Sequence, residues 1–374
     1  MARFEAWWQG ELIDRPPVTL TVLPGRPYRG PTSKHATARD RWLDVEYQVE
    51  HAIAELARYD FVGDRFPIYV PDVGPELAGT LLGCELEFGE HTSWSLPIIE
   101  NAEQWSDLLD RQPDFTGPSW QAIEAMTDLA LERSQGRFLV GVTDLHGAFD
   151  TMAALRDPQW LCLDLVDAPE RLGQVSRHLA GVFREAFDRL WSKIRAAGMG
   201  CTTWTPLYHG GPAYLPSCDF WCMLSTAMAR EVILPSILEE MTILHRTLFH
   251  LDGPQALRHL NLLLALPQLD AIQWVYGDGH GQASDWLDIY RQIITAGKSV
   301  QVIASSPDDA LVILRALGPH RLWLTISEPF SSIEQASAFL REIEQSTRTA
   351  SAIHSGPAGF RCARRKRAPR GEME

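Results

Sequence analysis

The chain has 374 residues, of which 45% are hydrophobic and 22% charged, and its formal net charge is −14. This is the composition of an ordinary globular protein, long enough for two average domains or one large α/β barrel with insertions. No apolar run reaches the roughly 18 residues of a membrane span, and the first residues, MARFEAWWQGELIDRPP, are acidic where a secretory signal is apolar.

A cytoplasmic protein with no membrane partner is therefore expected. The charge is uneven: residues 351–374 carry a net +4, leaving −18 on the rest. A body this acidic repels nucleic acid, and no nucleic-acid partner is expected. The basic end lacks periodic apolar residues and is expected to be a disordered tail over 350–374. The six cysteines are scattered. Cys218-x3-Cys222 is the only close pair and has no second pair or nearby histidine at zinc-finger spacing.

In chain order, Pro17 to Leu23 reads as a first strand and is followed by a loop rich in Gly, Pro and Arg. Trp42, Val45, Val49, Ile53 and Leu56 recur at helical spacing over Asp40 to Arg58. Phe66 to Val70 is the second strand, Glu76 to Leu82 a short helix, and Glu85 to Glu100 an irregular excursion. Trp120 to Ser134 is helical, and Arg137 to Thr143 is a buried strand. Helices follow over Asp157 to Val166 and Pro169 to Ala197, then a strand over Thr202 to Tyr208 and a helix over Thr226 to Leu244. Four strands complete the set, at Arg246 to Phe249, Ala271 to Val275, Ser299 to Ala304 and Arg321 to Ile326. Helices separate them at Gln255 to Leu266, Asp285 to Ala296 and Pro307 to Leu317, and Ser332 to Gln345 closes the chain.

Short apolar strands alternating with helices point to a parallel sheet covered on both faces. Eight such units favour a (β/α)8 TIM barrel over residues 1–349 as a single domain. No Gly-x-Gly-x-x-Gly or phosphate-loop motif follows any strand, which argues against a nucleotide-binding sheet.

In a barrel the loops after the strands converge on one mouth. Their polar residues are, in order, Arg26 and Arg29; Asp72; Asp144 and His146; Tyr208, His209 and Asp219; His250 and Asp252; Gln273, Tyr276 and Asp278; Ser305; and Ser327 and Glu328. Such a set suits acid/base work or metal binding. Asp144 also fits a helix cap, and Asp252 before Gly253-Pro254 also fits a turn. His146 and His209 fit loop packing, and Trp204 and Trp274 read as barrel filling. His250-x-Asp252 is the sharpest pair. Two ligands one residue apart at a strand end can turn toward one centre, and nitrogen plus carboxylate suits zinc, iron or manganese. Alternatively, Asp252 could orient His250 as a general base.

These motifs carry a resemblance. DRPPVTLTVLPGRPY, YVPDVGPELAGTLLGCELEF, CDFWCMLSTAMAREVILPSI, FHLDG and IQWVYGDG occur in order, and over Glu11 to Gln345 the chain resembles the uroporphyrinogen decarboxylase superfamily. That superfamily contains decarboxylases and zinc methyltransferases acting on methylated corrinoids. The resemblance implies a (β/α)8 barrel with its site in a cleft at the strand ends.

Two departures separate this chain from both branches. The decarboxylases carry a run similar to RQAGRYLPE, where this chain has VLPGRPYRG with Leu23 in place of the first arginine and only Arg26 kept. Asp72 stands at the family's site aspartate. A polycarboxylate porphyrinogen needs several cations, and this mouth is acidic. The methyltransferases carry His-x-Cys and a later Cys, where this chain has His250-Leu251-Asp252 and Thr325-Ile326-Ser327-Glu328.

The resemblance therefore implies a divalent metal, zinc or similar, on His250, Asp252 and Glu328. It further implies methyl transfer involving a corrinoid, as substrate or as the cofactor of a corrinoid protein, or a methylated small molecule. Asp72, His250 and Asp278 are the catalytic candidates; Arg26, Tyr208, Asp219, Gln273 and Tyr276 would bind substrate. The alternatives are decarboxylation of uroporphyrinogen or a smaller carboxylate, with Asp72 stabilising the intermediate, and a non-catalytic tetrapyrrole or corrinoid binder.

Overall fold

The computed structural model describes residues 1–354, with side chains through 349. The strands of the described residues are β1 (Val18–Val22), β2 (Asp60–Gly63), β3 (Ile68–Tyr69), β4 (Glu85–Phe88), β5 (Ser93–Leu96), β6 (Leu139–Val140), β7 (Ala213–Tyr214), β8 (Arg246–Asp252), β9 (Ala271–Val275), β10 (Ser299–Ala304) and β11 (Leu322–Ile326). Seven form one sheet in the order β2-β1-β11-β10-β9-β8-β7. Every pair in it is parallel except β1 with β2.

β3 and β6 form a separate parallel pair, and β4 and β5 an antiparallel hairpin. Val142 N–H donates to the Thr202 carbonyl at 2.9 Å, so residues 201–203 lie beside the end of β6. The architecture is a mixed α/β fold with a largely parallel sheet. Among the described residues the strand ladders do not join into a closed ring.

The central strands are hydrophobic on the face that meets the helices. Ile272 and Trp274 of β9 and Val300 and Val302 of β10 are fully buried, as expected of a sheet covered on both sides. Side chains alternate along a strand, so the opposite face carries His250, Gln273 and Gln301, matched by register, and Thr325 matched with Thr19, two residues farther along β11 than the Trp323 that pairs with Gln301. Trp274 packs against Trp286, 5.3 Å between ring centroids, on the helical side; it does not fill the interior.

The amino ends of the strands are closed by a helix over Ala2–Trp8, a segment that reads from sequence only as an acidic start. Trp7 Nε1 donates to the Arg321 carbonyl at 3.0 Å, and Ser299 Oγ donates to the Trp7 carbonyl at 2.7 Å. Phe4 and Trp7 stand edge-on to Trp323 at 4.9 and 5.5 Å.

Several element boundaries differ from expectation. Asp40 to Arg58 is two helices, Ala38–Leu43 and Val45–Leu56, because the Asp44 side chain caps the second by accepting Tyr47 N–H. The expected strand over Thr202 to Tyr208 is absent. Pro206 interrupts it, the chain folds back through a Cys201–His209 antiparallel bridge, and the strand beside β8 is β7. The excursion over Glu85 to Glu100 is a regular hairpin, β4–β5. The segment over Thr226 to Leu244 is broken by a π-helical turn at Ala229–Ile233. The last helix, Ile333–His354, runs past the expected domain end at 349; the remainder of the expected tail, 355–374, lies outside the described residues.

Candidate functional site

The site lies at the carboxyl ends of the parallel strands. β8 ends at Asp252, so period-two alternation puts His250 and Asp252 on the same face. The segment 216–218 runs beside them, with His250 N–H donating to the Pro216 carbonyl at 3.0 Å and Ser217 bridged to His250. The next residue of this segment is Asp219, one residue before a 3-10 turn, Phe220–Met223. Ligand atoms of Asp219, His250 and Asp252 all lie within 4.8 Å of one another, the one such group of three among the described residues.

Asp219 is held from below. Asp150, in the first turn of the helix Ala148–Arg156, accepts the backbone N–H groups of Asp219 at 3.1 Å and Phe220 at 2.9 Å. Glu240 braces the same helix start, its Oε1 accepting Ala148 N–H at 2.8 Å. The approach is close enough to require glycine at 147: an added Cβ would meet the Ser217 carbonyl oxygen at 2.9 Å and Glu240 Oε2 at 3.1 Å. Glu240 is fully buried with Oε2 unpartnered, and burial pushes its carboxyl up to about 8.

His250 is oriented from within the sheet. Its Nδ1 meets Gln273 Oε1. The Gln273 amide donates onward to Gln301 Oε1 at 2.8 Å, and Gln301 donates to Thr325 Oγ1 at 3.1 Å. Because the amide nitrogens are spent on donation along this row, Gln273 offers His250 an acceptor. That fixes the proton on Nδ1 and leaves the Nε2 lone pair free. A ring oriented in this way by an outer hydrogen bond is what a metal-ligating histidine requires.

The electrostatics mark a recess. Solvent reaches Asp72 and Asp219, yet surrounding protein raises both carboxyls. Burial is the main cause for Asp72, while for Asp219 burial and then the Asp150 carboxylate push the group up to about 6. Asp144 is also raised, by burial first, partly offset by His146 and reinforced by Asp72. Carboxylates crowded in this way repel, and a bound cation removes the repulsion. One imidazole and two carboxylates fit zinc, manganese or iron through nitrogen and oxygen donors.

The expected site residues divide. His250, Asp252 and Asp219 come together, Asp219 standing where Glu328 was expected. Glu328 is exposed and outside the cluster, because β11 ends at Ile326 and the chain has already turned away. Gln273 lies under His250 in the polar row. Asp72 lies at the recess, its Oδ1 accepting Gly74 N–H at 2.7 Å.

Arg26 is exposed and is held by both oxygens of Asp60 at 2.8 Å. Tyr208 was expected at the mouth and lies at the opposite end. Its carbonyl accepts Trp8 Nε1–H at 2.9 Å and its ring stands against Phe66, while His209 pairs with Glu5 at 2.9 Å. The fold-back at Cys201–His209 returns both residues to the amino ends. Tyr276 donates to the Ile303 carbonyl at 3.3 Å and stacks on Trp286. Asp278 is exposed and outside the cluster.

Sequence reasoning missed Asp150, Glu240 and Trp204 as parts of this region. Trp204 is 40% exposed and stands edge-on to His250 with ring centroids 5.3 Å apart. Its signal was Pro206, which breaks the strand that would have buried it.

No family model and no curated protein matches the chain. Among solved structures, a methyltransferase from Methanosarcina mazei shares the fold, with a TM-score of 0.57 at 13% identity over 92% of this chain and 97% of that one. A B12-independent methionine synthase from Shewanella sp. W3-18-1, solved in complex with selenomethionine, covers 73% of this chain and 75% of its own at 10% identity; its TM-score of 0.35 adds nothing to the fold argument. The fold is thus one that a methyltransferase also uses.

Proposed function

We propose that this chain is a metal-assisted methyltransferase of the uroporphyrinogen decarboxylase-like type, moving a methyl group between a methylated corrinoid or small molecule and an acceptor. The observation that carries the reading is the convergence of Asp219, His250 and Asp252 at the carboxyl ends of the strands. The fold shared with a methyltransferase supports it. In this reading residues 1–349 are one cytoplasmic barrel domain, with the two-stranded β3–β6 pair completing the ring.

Asp219, His250 and Asp252 would hold the metal, whose chemistry is to lower the pKa of a bound acceptor such as a thiol. Gln273 keeps the His250 lone pair available, and Asp150 fixes the backbone of Asp219. Asp72, at the rim, is placed to orient substrate or hold a proton. Porphyrinogen decarboxylation fits poorly, because the recess is lined by carboxylates and Arg26 is tied to Asp60.

The test is metal analysis of the purified protein beside His250→Ala, followed by transfer from methylcobalamin to a thiol monitored by absorbance. Stoichiometric metal lost in the variant, with turnover only when metal is present, is the expected result. An equally metal-free pair ends the reading.

A further inference from the structure

The segment that carries Asp219 is held to β8 by one buried indole and one buried imidazole. Trp221, two residues past Asp219, packs against Phe249 with ring centroids 5.1 Å apart and against His259 at 4.8 Å. Phe249 is the residue before His250 in β8. His259 ends the 3-10 turn Pro254–His259, which follows Asp252 across Gly253. Each member of the metal cluster is therefore tied to Trp221 by a short stretch of chain. Asp219 is tied directly, His250 through Phe249, and Asp252 through the turn that ends in His259.

The tie to His259 is also a hydrogen bond. Its Nε2 lies 2.9 Å from the Trp221 carbonyl oxygen. A carbonyl only accepts, so Nε2 carries the proton and the neutral ring keeps a lone pair on Nδ1. His259 is fully buried, and Nδ1 has no hydrogen-bond partner among the described residues. A buried lone pair without a donor costs stability. An apolar side chain of similar size would pack on Trp221 without that cost. Packing alone does not account for a histidine here, and the Nε2–H donor does.

The Trp221 carbonyl also accepts Leu224 N–H at 2.9 Å, so the turn is closed by its own backbone. What His259 adds is attachment to the segment after Asp252. On the opposite side Asp150 accepts the N–H groups of Asp219 and Phe220. The turn is gripped from both sides, and releasing the second grip would let Asp219 shift relative to His250 and Asp252 without unfolding the turn.

We propose that His259 is a positioning residue of the metal centre, setting the separation of Asp219 from the His250–Asp252 pair by tethering the Trp221 carbonyl to the turn after β8. The proposal rests on the metal-assisted reading above and adds to it a residue outside the ligand set.

Three variants separate the donor from the packing. His259→Leu keeps apolar contact with Trp221 and removes both the donor and the orphan lone pair. His259→Gln places an amide N–H as many bonds from Cα as imidazole Nε2, whereas the amide of His259→Asn is one bond shorter. Zinc affinity of the full-length protein is measured by competition with a chromophoric chelator, and the Co2+ forms by visible absorption. Thermal melts of the metal-free samples run alongside. His259→Leu is expected to melt near the parent yet bind zinc roughly tenfold or more weakly, the usual scale for losing outer-shell support of a metal site, with altered Co2+ bands. His259→Gln should recover most of the affinity and the parent spectrum, and His259→Asn should not.

Parent affinity and spectrum in His259→Leu and His259→Asn overturn the proposal and leave the metal centre standing. Equal weakening in His259→Leu and His259→Gln also overturns it, because the donor would then not be what matters. If His259→Leu does not fold, the Gln and Asn pair decides the same point. Nitrogen NMR of the unaltered protein needs no variant: Nε2–H at His259 is required, and Nδ1–H overturns the tether. A parent protein that binds neither zinc nor Co2+ removes the metal-assisted reading and this proposal with it.

Discussion

The two ends of the parallel sheet solve opposite problems with the same kinds of residue. At the amino ends, polar atoms are paired and aromatic rings are buried: Trp7 and Trp8 donate to backbone carbonyls and Glu5 pairs with His209. At the carboxyl ends, Asp72, Asp144, Asp219 and Asp252 crowd around two histidines with few hydrogen bonds to share. The first arrangement lowers the energy of the folded chain. The second raises it, and such a cost persists where a ligand or a reaction offsets it. Conserving the end-to-end polarity of an α/β sheet while reversing the role of each end is how this fold separates stability from chemistry.

The comparison can be broken first at the amino end. Trp7→Ala should destabilise the protein by about 3–5 kcal/mol, the usual cost of removing a large buried aromatic, measured by urea unfolding. Metal content of the folded fraction should be unchanged. A Trp7 variant as stable as the parent would mean that the helix over Ala2–Trp8 is not holding the sheet closed.

At the other end Asp219→Asn should do the reverse, weakening metal binding while leaving apo-protein stability the same or higher, because a repelling carboxylate is gone. Gln273→Leu should weaken metal affinity by roughly 10–100-fold, the typical effect of removing the partner that orients a ligating histidine. Its nitrogen NMR spectrum should show His250 losing its Nδ1–H preference; an unchanged tautomer would sink the positioning role.

The smallest expected effect is in the pH dependence. Asp219 and Glu240 are raised to about 6 and about 8 in the folded chain, from ordinary values of 3.8 and 4.5. Folded protein therefore binds protons that the unfolded chain has released, and stability falls as pH rises across roughly 4 to 8. Glu240→Gln should flatten the part of that slope between pH 5 and 8 in thermal melts taken without metal. A slope unaltered by Glu240→Gln would place its origin elsewhere.

Legibility from sequence followed the same division. β8 to β11 were readable because their apolar runs are continuous and punctuated by helices, and His250-x-Asp252 was readable because one strand delivers both residues. The segment Cys201 to His209 was not. TTWTPLY alternates like a strand, and only the tertiary bridge to His209 shows that it turns back and takes Tyr208 to the wrong end for binding. The third member of the cluster was the hardest to see. Asp219 lies 31 residues before His250 in sequence and reaches it only because residues 216–218 run alongside β8, whereas Glu328, two residues past the end of β11, left the sheet too soon.

The helix that plugs the amino ends has a consequence for the order in which the molecule is assembled. Its contacts join residues 7 and 321 and residues 299 and 7, separations of 314 and 292, while β1 pairs with β11 through Val18 and Leu324. Contacts this distant in the chain are slow to form. During synthesis the opening residues must wait, with Phe4, Trp7 and Trp8 uncovered, until nearly all of the sheet has emerged. For that interval the most hydrophobic part of the amino terminus is the part most in need of protection from aggregation.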